Sequence, residues 1–373
     1  MRLYPCKMNA DSAQHYALRS VRTRIGEVVD LTAWAEWAQI PHRGEPGRIV
    51  DGALMAQLLG IRSKSWAPEL FRRPETIAAL GEAALQAADW TPDAVDALVL
   101  VTCTPYELSL DQDAHRFGRL LGLPDDVPVL LMHAGCAGLA RAMAHLGRMT
   151  AERVLLLTWN APSAYMVMPD GRPNPLYRDN TTHPTAELLW FSPALFSDGA
   201  AAATLERRPE TQGVRFYTRD ALDFDGQGPF HDPLVVYPGG GALHPPGSPQ
   251  STPMSAFGMH GAAIQRYYTE GMLANGRALE ALAPGHVDRV ARIYTHQASP
   301  RLIHGFLARS GLPVEKVPRN CERMGNLVSV STLRLLDEDL AAGRVRPGDT
   351  LCFSVVGAGP ERGGFTLRYE PPA

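Results

Sequence analysis

Lysine is nearly missing: of the 36 basic residues only Lys7, Lys64 and Lys316 are lysines. No basic tract is present and the formal net charge is −3, so neither nucleic acid nor an anionic membrane is implied as a partner. No apolar run approaches the roughly 18 residues that span a bilayer. Met1-Arg2-Leu3-Tyr4-Pro5-Cys6-Lys7 lacks the apolar centre of a secretory signal, so the expected location is the cytoplasm. Five cysteines, at 6, 103, 136, 321 and 352, make an odd count without a C-x-x-C pair. That pattern argues against a disulfide framework and against a structural zinc site. Gly239-Gly240-Gly241 has no following Gly-Lys-Ser/Thr and is not read as a phosphate loop.

What the chain does have is length and apolar content. Its 373 residues, 45% of them hydrophobic, can bury a large core and suggest two domains. The organising stretch is His133-Ala134-Gly135-Cys136-Ala137-Gly138, a small-residue turn running into an apolar helical stripe of Leu139, Met143, Leu146 and Met149. A thiol at such a helix start lies near unpaired N–H groups and the positive end of the helix dipole, which favour the nucleophilic thiolate. The alternative reading of Cys136 is a small buried residue chosen for packing.

Taken in order, residues 19–25 alternate as a strand, and the stretch to about residue 66 reads as irregular, broken by Pro41, Gly44, Pro46 and Gly47. Pro74 to Ala88 reads as a helix and Val95 to Val101 as a buried strand of a parallel sheet. A helix from Asp111 to Leu121, the Cys136 helix and the strand Val154 to Leu157 follow. The second half repeats this plan. A strand from Val287 to Tyr294 leads to Thr295-His296-Gln297, and a helix from Pro300 to Ser310 closes with Gly311-Leu312-Pro313. That closure matches Gly122-Leu123-Pro124 at an offset of 189 residues, and Gly325-Asn326 matches Gly135-Cys136 at 190. Thr350 to Val356 returns as a buried strand, and Gly213 to Phe216 answers the strand at 20–23. Ordered matches at a nearly constant offset indicate duplication, with halves 1–208 and 209–373. Alternating strands and helices imply sheets covered by helices. The echo places the connections near Cys136, His296 and Asn326 together, at the carboxyl ends of strands where open α/β sheets bind ligands. Residues 159–195 and 223–260 interrupt the pattern, rich in Pro, Gly and aromatics (Trp159, Tyr165, Tyr177, Trp190, Phe224, Phe230, Tyr237), and read as pocket walls or lids.

Five segments carry a resemblance: Ala134-Gly135-Cys136-Ala137-Gly138, Phe196-Ser197-Asp198-Gly199-Ala200, His296-Gln297-Ala298-Ser299, Gly325-Asn326, and Gly357-Ala358-Gly359 through Gly363-Gly364. In this order, over roughly residues 90–370, they resemble the thiolase superfamily and most closely its β-ketoacyl-acyl-carrier-protein synthase III branch. The resemblance implies an α/β thiolase-like fold, a duplicated five-layered αβαβα architecture, and a homodimer. It implies a catalytic Cys136, His296 and Asn326, with the backbone N–H groups of Cys136 and Gly357 as oxyanion hole. Cys136 would take an acyl group from a thioester, and a second thioester would attack it as a carbanion. His296 and Asn326 would stabilise the enolate. No permanently bound cofactor or metal is implied; acyl-CoA or acyl-carrier-protein thioesters are the substrates.

The departures are as informative. Leu54 stands where the synthase III pattern has a tryptophan before its Gly-Ile-Arg, here Gly60-Ile61-Arg62. The family stacks the CoA adenine on that tryptophan, so a carrier protein becomes the alternative donor. The closing loop reads Gly359-Pro360-Glu361-Arg362, without its usual aromatic, and the 159–195 insertion is long. These changes suggest a specialised relative in polyketide or other secondary-metabolite biosynthesis. Glu107 is a candidate accessory base, since some relatives that join two long acyl chains use a glutamate from this region, reaching across the dimer, as a base; its other reading is a solvated loop carboxylate. His133 and Asp198 read as structural. Claisen condensation competes with acyl transfer from Cys136 to an alcohol or amine, and Asn326, where such acyltransferases can carry Asp, leans toward condensation. A non-catalytic partner subunit would lack the nucleophile, and this chain retains it.

Overall fold

The computed structural model describes residues 15–41, 45, 47–108, 110–174, 191–208, 213–219, 222–223, 234–236 and 258–372. Strands are β1 (Tyr16–Ile25), β2 (Glu27–Asp30), β3 (Ser63–Trp66), β4 (Ala97–Thr102), β5 (Val129–His133), β6 (Arg153–Asn160) and β7 (Gly199–Arg207) in the first half. They continue as β8 (Arg215–Arg219), the short pair β9 (Val235–Val236) and β10 (Gly258–Met259), then β11 (Arg292–Thr295), β12 (Thr350–Gly357) and β13 (Glu361–Tyr369). The helices that matter below are α1 (Leu31–Ala38), α2 (Gly52–Leu59), α3 (Pro74–Ala87), α4 (Gln112–Leu120), α5 (Gly138–Leu146), α6 (Phe191–Leu195), α7 (Gly261–Leu282), α8 (Pro300–Ser310) and α9 (Ser331–Ala341).

The duplication is written in the strand order. The first half runs β5-β4-β6-β7-β1 across its sheet, the second β11-β12-β13-β8. β4–β6 and β11–β12 are parallel, while β6–β7, β1–β7, β12–β13 and β8–β13 are antiparallel. Among the described residues β5 has no counterpart in the second half. The two sheets meet where β1 pairs with β13 over Ala17 and Leu18.

Period-two alternation explains the layering. Val99, Val101, Leu156, Ala201 and Ala203 of one sheet, and Leu351, Phe353, Val355 and Phe365 of the other, face a common core. Leu139, Met143 and Leu146 of α5 and Leu333, Leu335 and Leu336 of α9 fill it. The intervening residues Leu98, Leu100, Leu155 and Leu157 face outward against Ile77, Ala84, Leu85 and Phe117 of α3 and α4. On the far side, α7 and α8 cover β11 and β12 through Leu279, Ile303, Phe306, Ile293, Cys352 and Val356. The result is five layers, helix–sheet–helix–sheet–helix. No helix among the described residues is long and apolar enough to cross a membrane.

Several local expectations need correction. The described residues of the stretch to residue 66 form β2, α1, α2 and β3. Its helices are only eight residues each, and the breakers Pro41, Gly44, Pro46 and Gly47 fall between them. Asp30 caps α1 through the Thr32 N–H, and Asp51 caps α2 through the Leu54 N–H. From Val287 to Tyr294 the strand begins only at Arg292, because His286–Arg289 form a helical turn after Gly285 at φ 72°. Gly325-Asn326 is followed by a 3₁₀ turn, Val328–Val330, before α9 begins at Ser331. The 22-residue α7 lies in a region for which no helix was expected. Of the two interrupting stretches, Tyr177, Trp190, Phe224, Phe230, Tyr237 and Gly239–Gly241 lie outside the described residues, as does Cys6.

Candidate active site

Cys136 lies in the three-residue gap between the end of β5 and the Ala137 cap of α5. The turn is held at both ends: Ala134 N–H donates to Thr102 O at 2.9 Å and Gly138 N–H to Gly135 O at 2.9 Å. Gly138 is required by packing, since a Cβ there would lie 2.5 Å from Val101 Cγ1 on β4. His296 follows β11 directly; its N–H donates to Ser354 O at 3.1 Å, and its carbonyl accepts from Tyr268 Oη on α7 at 2.6 Å.

Asn326 is fixed from three directions. Its N–H donates to Leu195 O at 3.0 Å, and its carbonyl accepts from Ser197 N–H at 2.9 Å, making a parallel bridge with Phe196. Its side-chain Oδ1 accepts from Val328 N–H at 2.8 Å, which leaves Nδ2 as the donor for a ligand. Val328 makes this bond from φ 54°, a left-handed backbone that β-branched residues rarely adopt. Gly325 precedes at φ 69°, and a Cβ on it would meet Ser197 Oγ at 2.1 Å. Glycine is therefore dictated twice over at 325.

The three side chains come from three connections and line one cavity of about 510 Å³, with Gly357 on its wall. Leu195, Phe196, Ile264, Leu302 and Val356 make most of the rest apolar. His296 is fully enclosed, and burial pulls its imidazole down to about 3, so it is neutral at working pH. Burial also pushes the Cys136 thiol well up, with Cys103 and Glu361 adding to the effect. This corrects the expectation of a resting thiolate. A helix terminus favours a nearby anion by about 0.3–1 kcal/mol, whereas removing a charge from water costs several-fold more. Burial wins, and the resting pair is thiol and neutral imidazole.

Other expectations sort as follows. His133 is exposed at the end of β5. Asp198 is buried and accepts from the N–H groups of Ala67 and Ser163. Glu107 is absent from the cavity lining and pairs with Arg116 at 3.1 Å. Sequence reasoning missed Tyr268, whose helix carries no chemical motif, and Lys64. The Lys64 ammonium is fully buried 4.4 and 4.7 Å from the ring centroids of Trp34 and Trp66. It donates to Phe196 O at 2.7 Å, bracing the segment that bridges Asn326. Its isolation in a chain with three lysines was the available signal.

Residues 281–369 match the family described as 3-oxoacyl-[acyl-carrier-protein] synthase III, C terminal. The β-ketoacyl-[acyl-carrier-protein] synthase III of Ruegeria sp. (strain TM1040) is 28% identical over 343 residues, 87% of this chain and 96% of that protein. Over most of its length the chain is thus similar to synthase III proteins of the thiolase superfamily. The crystal structure of 3-oxoacyl-(acyl carrier protein) synthase III from Pseudomonas aeruginosa PAO1 superposes with a TM-score of 0.72 at 22% identity, covering 96% of this chain and 99% of that one. The priming β-ketosynthase of the R1128 polyketide pathway does so at 0.72 and 21%, covering 98% and 100%. Both share the thiolase fold found here.

Proposed function

We propose that this synthase III-like protein joins two acyl thioesters by Claisen condensation through an acyl-Cys136 intermediate. The observation that carries the reading is the convergence of Cys136, His296 and Asn326 on one largely apolar cavity. In the first half-reaction the Cys136 sulfur attacks the donor's thioester carbonyl. The N–H groups of Cys136 and Gly357 hold the oxyanion, and the donor's thiolate departs with the proton from Cys136. In the second, a β-carboxyacyl thioester loses CO₂ to give an enolate. His296, as a neutral imidazole, and Asn326, through Nδ2, donate to its oxygen. The enolate carbon attacks the acyl group on Cys136, and collapse of the tetrahedral intermediate frees the cysteine thiolate.

Carrier-protein thioesters are favoured over CoA as donors, since Leu54 stands where the synthase III pattern has the tryptophan that stacks the adenine. The fold shared with a polyketide priming ketosynthase supports a biosynthetic role in secondary metabolism. A homodimer is part of the proposal, with β5 as the strand that joins the copies. Peptide mapping after exposure to acyl thioesters tests the first step. The acyl adduct is expected on the Cys136 peptide and absent from Cys136→Ala. Esters or amides formed from added alcohols or amines, with no carbon–carbon product from wild type, would replace condensation with simple acyl transfer.

A further inference from the structure

Behind the nucleophile is an ion pair that the proposed chemistry does not use. Glu361 opens β13 opposite Gly357, the last residue of β12, and its side chain is 6% exposed. Arg141, on the first turn of α5, donates Nη2 and Nε to the same oxygen, Oε2, the Nε contact at 3.2 Å. Tyr217 of β8 donates its hydroxyl to that oxygen at 2.5 Å and accepts from Arg141 Nε at 3.1 Å. The cluster abuts Gly357, one of the two proposed oxyanion donors, which in turn packs against the residue after the other. A Cβ placed on Gly357 would lie 3.1 Å from Glu361 Cγ and 3.0 Å from Ala137 N, the residue after the nucleophile.

We propose that Arg141 is a positioning residue for Cys136: its pair with Glu361 ties the nucleophile's helix to the oxyanion hairpin and cancels the carboxylate charge that would oppose a thiolate. The inference rests on Cys136 being the nucleophile. A lone carboxylate in this place would work against both anions of the first half-reaction, the thiolate and the tetrahedral oxyanion. Paired with a guanidinium and a phenol, the same carboxylate becomes a rigid acceptor joining α5, β8 and β13. Removing one member of such a pair leaves an uncompensated buried charge. The Cys136 thiol packs with Cys103 after β4, shares its cavity with Tyr268 of α7 and His296 after β11, and is within the electrostatic reach of Glu361 of β13. Of these only Glu361 is anionic while the thiols and the phenol stay protonated. Burial first, and then Glu361, push the Tyr217 phenol up to about 12, so it remains a donor.

The test is the pH profile of iodoacetamide alkylation at Cys136, followed by peptide mass in the full-length protein. Arg141→Met should alkylate about tenfold more slowly near neutral pH, its profile displaced to higher pH, because thiolate supply falls in proportion. Glu361→Gln should alkylate faster than wild type. The double variant Arg141→Met/Glu361→Gln should return to within about threefold of wild type, since no net charge is left unpaired. A role in packing alone predicts no such rescue. Arg141→Met behaving as wild type, or a double variant as slow as Arg141→Met, would overturn the proposal. If Arg141→Met does not fold, Glu361→Gln decides: faster alkylation supports it, and equal or slower alkylation refutes it. Alkylation needs no acyl substrate, so a protein that never acylates Cys136 would sink the functional reading by a separate measurement.

Discussion

The chemistry turns on two protonation states that burial sets. His296 is the residue whose state can be checked without knowing the substrate. Its imidazole is pulled from an ordinary 6.5 to about 3 by desolvation. Between those values the unfolded chain binds a proton that the folded chain refuses, so stability falls as pH drops through that window. His296→Gln removes this term. Chemical denaturation at pH 7 and pH 5 should show the wild type losing more stability than the variant over that interval. Equal losses would mean that His296 is solvated or charged, and would remove the neutral donor from the mechanism. The same neutrality suits the role proposed for it, because a neutral N–H stabilises an enolate without protonating it outright. Cys136 shows where sequence reading ended. Its turn and helix were legible from Gly135, Gly138 and the apolar stripe, but its protonation state depended on enclosure by Phe196, Val328 and Cys103, which no local pattern reveals.

At the scale of elements, the long periodic or wholly apolar segments were legible and the short ones were not. α8 runs from Pro300 to Ser310 with Ser299 as its cap and Gly311 as its stop, as its punctuation required. α1 and α2, at eight residues each, offered too few turns for a stripe to stand out. The strand β5 raises a different matter. Among the described residues it is the end strand of its sheet, paired only with β4, and Val129, Leu130 and Leu131 are each only partly covered. An open, apolar edge of this kind normally acquires a partner strand. Leu108 and Leu110, on the neighbouring loop, are strongly exposed as well, at 52% and 83%. Sedimentation velocity at micromolar concentration should therefore find a dimer. A folded, active monomer would contradict the assignment of β5 as the joining edge.

For the whole molecule, the duplication mattered most. Offsets of 189 and 190 residues tie Gly122 to Gly311 and Cys136 to Asn326 in the sequence itself. The matching strand orders of the two sheets explain why. Each half delivers its β-strand ends to the same side, so a cysteine turn in one half and an asparagine turn in the other arrive at one cavity. What the sequence could not convey was the cavity's size and cover. Those depend on α7 and on how Lys64 braces the Phe196 segment, a contact between residues 132 positions apart.

The central claim is that Asn326 serves bond formation and not loading. Single-turnover mass spectrometry of Asn326→Ala, following acyl-enzyme and product together, tests it most directly. The variant should accumulate acyl-Cys136 at close to the wild-type rate, while carbon–carbon product falls by about 10²-fold or more, as for a lost oxyanion donor. Loss of loading and product in equal measure, or product formed at the wild-type rate, would contradict the account.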